Sequence, residues 1–169
     1  MMKFLIIQTA SIGDVILATP VIEKLHHTFP DARIDFLLKK SNESLFKDHP
    51  KLNNVIAWDK KKHKFRNLLR IIKNTRKEKY DYLINIQRFA SSGIITFLSG
   101  ARTTIGFDKN PFSALFNIKI THEIGNEKIH EIDRNLKLIE KLTNKERFTV
   151  KIYPSDKDFS KVSTYKNRK

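Results

Sequence analysis

Apolar residues fall along this chain in two alternating rhythms. Lys3 to Gln8 (KFLIIQ) is an almost continuous apolar run, the mark of a strand covered on both faces, and beyond the turn from Thr9 to Asp14 apolar positions continue at helical spacing to Leu25. Pro20 cannot donate an interior helix hydrogen bond, so this helix either kinks there or restarts with Thr19 as cap and Pro20 in its first turn. Phe29 to Ala32 reads as a turn, Arg33 to Lys39 as a second strand, Ser41 to Phe46 as a short helix ended by His49-Pro50, and Asn54 to Trp58 as a third strand. Phe65, Leu68, Leu69, Ile71 and Ile72 recur at helical spacing between Phe65 and Arg76, and Tyr80 to Ile86 returns to strand. A helix over Ala90 to Leu98 stops at Gly100, and a strand follows from Thr103 to Gly106. Asp108 to His122 reads as irregular, with one edge strand near Asn117 to Ile120, and Glu131 to Leu142 as an amphipathic helix with Ile132, Leu136, Ile139 and Leu142 on one face.

Strands alternating with helices predict an α/β fold. Its parallel sheet of at least five strands has helices on both faces and Phe4, Leu5, Ile6, Ile7, Ile34, Phe36, Leu37, Val55, Leu83 and Ile84 inward. In such folds ligands bind in the crevice beyond the carboxyl ends of the strands. With 169 residues, 40% of them apolar, one domain over residues 1–150 is expected, and residues 151–169 read as a polar tail or truncated interdomain linker. The absence of cysteine excludes disulfides and thiolate chemistry and points to a cytoplasmic chain, while five glycines leave no Walker or G-x-G-x-x-G loop. No H-E-x-x-H or comparable metal spacing occurs, so neither a metal nor a cofactor is expected.

Charge sharpens this picture. The net charge is +15, and the segment from Lys60 to Lys79 holds ten Lys and Arg against one Glu. Lys60, Lys61, Lys62, Lys64, Arg66 and Arg70 could form a platform for phosphates or carboxylates, with the two arginines one helical turn apart; a solvated helix face is the plainer alternative. At the first strand-to-helix turn, Asp14 could serve as a general base. Gly13 would admit a close ligand, yet Ser11 and Asp14 also make the S-x-x-D pattern of a capping box. Gln87 and Arg88 follow a strand end, where they could meet a ligand or satisfy loop backbone. Of the six histidines, His130 stands out before the last helix, near Arg134, where capping is the simpler role.

Four motifs together resemble glycosyltransferase family 9, the lipopolysaccharide heptosyltransferases, from Lys3 to about Leu142. They are S-I-G-D-V-x-L-x-T-P-V from Ser11, Y-D-x-x-I-N-x-Q from Tyr80, S-G-A-x-x-x-I-G from Ser99, and H-x-x-x-R-N from His130. The resemblance implies a GT-B architecture of two Rossmann-like halves, of which this chain resembles the amino-terminal, acceptor-binding half. It implies that Asp14 deprotonates the acceptor hydroxyl, with Ser11 and Gly13 of its turn and Gln87 and Arg88 binding the acceptor, in an inverting transfer of heptose from ADP-heptose to the lipopolysaccharide inner core. The cations from Lys60 to Arg70 would then hold the phosphorylated acceptor. The nucleotide-sugar site belongs to a carboxyl-terminal half, so a separate partner chain or an interrupted gene is implied, and this chain alone is expected to be inactive.

Two readings from a different class compete. A pI near 10 fits a nucleic-acid-binding module, although no zinc finger, helix-turn-helix or stacking motif is present and the cations cluster in one segment. The same basic helix could hold the chain peripherally on an anionic membrane, at the inner face of the inner membrane.

Overall fold

The computed structural model describes residues 1–61, 63–123, 129–156, 158–160 and 162. Six strands, β1 (Lys3–Gln8), β2 (Arg33–Lys39), β3 (Asn54–Trp58), β4 (Tyr82–Asn85), β5 (Thr103–Phe107) and β6 (Ile118–Ile120), form one sheet in the order β3-β2-β1-β4-β5-β6. Every neighbouring pair is parallel. The chain starts at the centre, builds outward to β3, then crosses back to build β4 to β6, so the order reverses beside β1. The carboxyl ends of β1 and β4 therefore diverge into the crevice where doubly wound sheets take ligands.

The helices are α1 (Ile12–Leu17), α2 (Thr19–Thr28), α3 (Lys64–Glu78), α4 (Ala90–Leu98) and α5 (Glu131–Lys137). Alternation along β1 assigns them to faces. Phe4 and Ile6 pack with Val15, Val21, Ile22 and Leu25 of α1 and α2 and with Ile132 and Leu136 of α5, whereas Leu5 and Ile7 pack with Ile71 and Ile72 of α3 and Ile95 of α4. Both faces are covered, which is why β1 reads as unbroken apolar sequence. Of the expected inward residues, only Val55 is half-buried, because β3 is an edge strand.

Several boundaries differ from the sequence expectation. The helix after β1 does break at Pro20, but Ala18 is the boundary residue and Thr19 is already helical. Thr19 Oγ1 donates to the Ile16 carbonyl at 2.8 Å, a partner that the missing proline N–H could not supply. The helix expected over Ser41 to Phe46 is a 3₁₀ segment, Lys40–Leu45. The last amphipathic helix ends at Lys137 and continues as tight turns, with Leu138, Ile139 and Leu142 donating to carbonyls three residues back. Gly100 stops α4 with φ of +69°, a conformation that favours glycine.

The chain beyond position 150 is seated at its start. Lys151 N donates to Thr19 Oγ1 at 3.1 Å, and Tyr153 Oη donates to Glu23 at 3.0 Å. Buried Lys24 clamps the approach to this segment, its ammonium donating to the carbonyls of Asn144 and Glu146 at 2.6 and 2.7 Å.

Candidate active site

A cleft of about 300 Å³ opens at the carboxyl edge of the sheet, lined by Gln8, Ala10, Asp14, Ile86, Gln87, Arg88, Phe89, His122, Glu131 and Arg134. Each wall has a separate origin. The end of β1 supplies Gln8 and the turn to Asp14, the end of β4 supplies Ile86 to Phe89, the end of β6 supplies His122, and the first turn of α5 supplies Glu131 and Arg134.

The capping reading of Asp14 holds in the geometry, and the residue also lines the cleft. The capping box is complete: Ser11 Oγ accepts from Asp14 N, and Asp14 Oδ2 accepts from Ser11 N at 3.1 Å and from Ser11 Oγ. Both bonds to the carboxylate use Oδ2. Oδ1 carries none among the described residues, so one oxygen holds the turn while the half-buried carboxylate lines the cleft. A Cβ on Gly13 would meet only Ser11 Oγ at 3.9 Å, so no packing within the domain requires glycine there.

The basic segment divides in two. Lys60 turns inward: its ammonium lies 4.7 Å from the Trp58 ring centre and donates to Thr9 Oγ1 at 2.7 Å and to the Thr9 carbonyl at 3.3 Å. Thr9 Oγ1 in turn donates to Gln87 Oε1 at 2.6 Å, so a hydrogen-bonded chain joins the ends of β3, β1 and β4. Burial, reinforced by Lys39 and Lys64, lowers the Lys60 pKa. Lys61, Lys64, Arg66 and Arg70 are exposed, and the two arginines line a separate groove on α3 with His63, Asn67, Leu69 and Lys73. Among the cations of this segment, only Lys60 is tied into the strand ends that frame the Asp14 cleft; Lys62 lies outside the described residues.

Gln87 is buried and held from three sides, by Thr9 Oγ1, by its own N–H on Asn85 Oδ1 at 2.9 Å, and by Asn110 Nδ2 on its carbonyl at 3.0 Å. Arg88 next to it is exposed and lines the cleft. The opposite wall was missed in sequence. His122 is buried, packs edge-on to Phe107 at 4.5 Å, and donates its backbone N–H to Asp108 at 2.9 Å. Burial and the neighbouring Arg88 keep its pKa low, so the imidazole is neutral near pH 7. Arg134 pairs with Glu131 through Nε and Nη2 and donates Nη1 to the Ile129 carbonyl at 3.0 Å. His130 is the cap of α5, its Nδ1 accepting from Ile132 N at 3.2 Å. A signal for this wall existed in the H-x-x-x-R-N motif, of which Arg134 lines the cleft and His130 caps α5.

The family described as glycosyltransferase family 9 (heptosyltransferase) matches residues 68–167. Lipopolysaccharide heptosyltransferase 3 of Escherichia coli is 30% identical over 132 residues, 75% of this chain and 39% of that protein. Lipopolysaccharide heptosyltransferase 1 of Campylobacter coli is 27% identical over 94% of this chain and 45% of its own length. The chain thus spans less than half the length of these relatives. A crystal structure of a family 9 glycosyltransferase from Veillonella parvula superposes with a TM-score of 0.86 at 18% identity, over 98% of this chain and 49% of that one. The six-stranded parallel domain is therefore the counterpart of half a GT-B heptosyltransferase, and this chain belongs to glycosyltransferase family 9.

Proposed function

We propose that this chain is the acceptor-binding half of an inverting heptosyltransferase that moves heptose from ADP-heptose to the phosphorylated inner core of lipopolysaccharide. The observation that carries the reading is the division of labour at Asp14, whose Oδ2 caps α1 while Oδ1 stays unpartnered on the cleft wall among the described residues. Relatives named as lipopolysaccharide heptosyltransferases support it. In this mechanism Oδ1 accepts the proton of the acceptor hydroxyl. The hydroxyl oxygen bonds to the anomeric carbon on the face opposite the leaving group, and the bond to ADP breaks with inversion. Arg88 holds the anionic acceptor in the cleft beside Gln87, with Ser11 and Gly13 in the turn that carries Asp14; Lys60, tied to Thr9 at the neighbouring strand ends, and Lys61, Lys62, Lys64, Arg66 and Arg70 attract its phosphates. The donor nucleotide is held by a carboxyl-terminal half.

The test mixes this chain with the carboxyl-half polypeptide of a family 9 enzyme and follows heptose transfer to core oligosaccharide. Asp14→Asn retains an oxygen for the cap and puts an amide where the base was. It should slow transfer by about a hundredfold or more while leaving the melting temperature unchanged. Near-normal turnover of that variant would leave Asp14 as a cap only.

A further inference from the structure

α3 shows solvent two features that the fold does not use. Phe65 and Leu69, one turn apart, are 77% and 66% exposed, while Ile71 and Ile72 of the same helix are buried against the sheet. Beside them Arg66, Arg70, Lys73 and Lys77 recur at steps of four, three and four residues, so they form one stripe along the helix. Row and stripe adjoin, because Leu69 lines the same groove as Arg66, Arg70 and Lys73. The one carboxylate of α3, Glu78, is engaged by Arg33 at 3.0 Å, and among the described residues no acidic group lies within 4.0 Å of the four stripe cations. An apolar row bordered by unneutralised cations is complementary to a surface that is anionic outside and apolar beneath. Nucleic acid would match the stripe and leave Phe65 and Leu69 in water.

We propose that α3 docks this domain on an anionic phospholipid bilayer, with Phe65 and Leu69 entering the headgroup region and Arg66, Arg70, Lys73 and Lys77 on lipid phosphates. One face of the helix stays on the sheet, so the contact is shallow and made by its flank. The inference does not depend on the acceptor reading, since vesicles free of lipopolysaccharide test it.

Because the chain has no cysteine, Leu69→Cys carries a single environment-sensitive fluorophore. On vesicles of phosphatidylglycerol and phosphatidylcholine in equal parts, its emission should shift to the blue, and on phosphatidylcholine alone it should not. In flotation of the unlabelled chain, Phe65→Ser with Leu69→Ser should weaken binding to the anionic vesicles by about tenfold or more, with no loss of melting temperature. Replacing Arg66, Arg70 and Lys73 by Gln should do the same, whereas replacing Lys109, Lys119 and Lys141 by Gln should not. Unchanged emission on anionic vesicles, or full binding without Phe65 and Leu69, would overturn the proposal. So would tighter binding to duplex DNA than to the anionic vesicles with the fluorophore unshifted, which would assign the stripe to nucleic acid.

Discussion

For Asp14 the cap and the proposed base separate by substitution: Asp14→Ala removes the cap and should cost about 1 kcal/mol in a denaturant titration, a loss that Asp14→Asn should largely avoid. His49 is buried beside Glu23, which already takes Lys51 Nζ at 2.6 Å and Tyr153 Oη at 3.0 Å. Its Nδ1 accepts from Lys51 N at 3.3 Å, so the ring proton sits on Nε2, 4.0 Å from Glu23. Burial pushes the pKa of this imidazole down to about 4, with Glu23 opposing and Lys51 adding to the shift. The unfolded chain therefore binds a proton near pH 6.5 that the folded chain refuses until about pH 4, and stability falls as pH drops through that window. Thermal melts between pH 7 and 4.5 should show this loss, and His49→Gln should flatten it. An equal slope in the variant would place the proton uptake elsewhere.

At the scale of elements, the cleft is built from loops held by buried polar side chains. α4 carries Gly93 where a Cβ would come within 3.0 Å of Phe112 Cβ and run into Asn110 Oδ1. Asn110 is the residue whose amide donates to the carbonyls of Gln87 and Phe89, at 3.0 and 3.1 Å, and so fixes the β4 end. Gly93→Ala should destabilise the domain by about 1–3 kcal/mol in urea unfolding and, by displacing Asn110, weaken acceptor binding as well. A variant with unaltered midpoint would mean that the loop from residue 110 to 112 yields freely. Similar wiring explains much of the family motifs. Asn135, fully buried, donates to the Leu17 carbonyl at the α1–α2 break at 3.1 Å, Tyr80 Oη donates to buried Asp35 at 2.6 Å, and Asn85 Nδ2 donates to Thr96 Oγ1 at 2.9 Å. These motif positions hold elements together; Asp14, Gln87 and Arg134 are motif residues that reach the cleft.

Over the whole molecule, charge and topology point to one edge. Lys60 and Arg88 stand at the carboxyl ends of β3 and β4, and α3, with its stripe of cations, starts from that edge. Phosphorylated core oligosaccharide should bind this chain in calorimetry at about 0.15 M ionic strength, where loose surface attraction is largely screened, and ADP should not bind. Arg88→Gln should weaken core binding more than Arg66→Ala with Arg70→Ala, because Arg88 lines the cleft and the other two do not. Micromolar ADP affinity would show that the nucleotide site lies in this domain. Among the described residues no helix is long and apolar enough to cross a membrane, so any bilayer contact made by these helices is a surface contact.

The strands, their parallel pairing and the first catalytic candidate were legible in the sequence for a local reason. Apolar runs and periodicities record how many faces of an element are covered, and Ser11 to Asp14 form a turn whose cap lies within four residues. The split of the basic segment was not legible, because whether a lysine meets water or Thr9 depends on how β3 sits beside β2 and β1. Nor was the wall of His122, Glu131 and Arg134, which lies more than a hundred residues from Asp14 and reaches it only when β6 and α5 close over the sheet edge. Even the capping box left open whether Asp14 had an oxygen to spare. That was decided by tertiary structure, since it alone sets which atoms surround Oδ1.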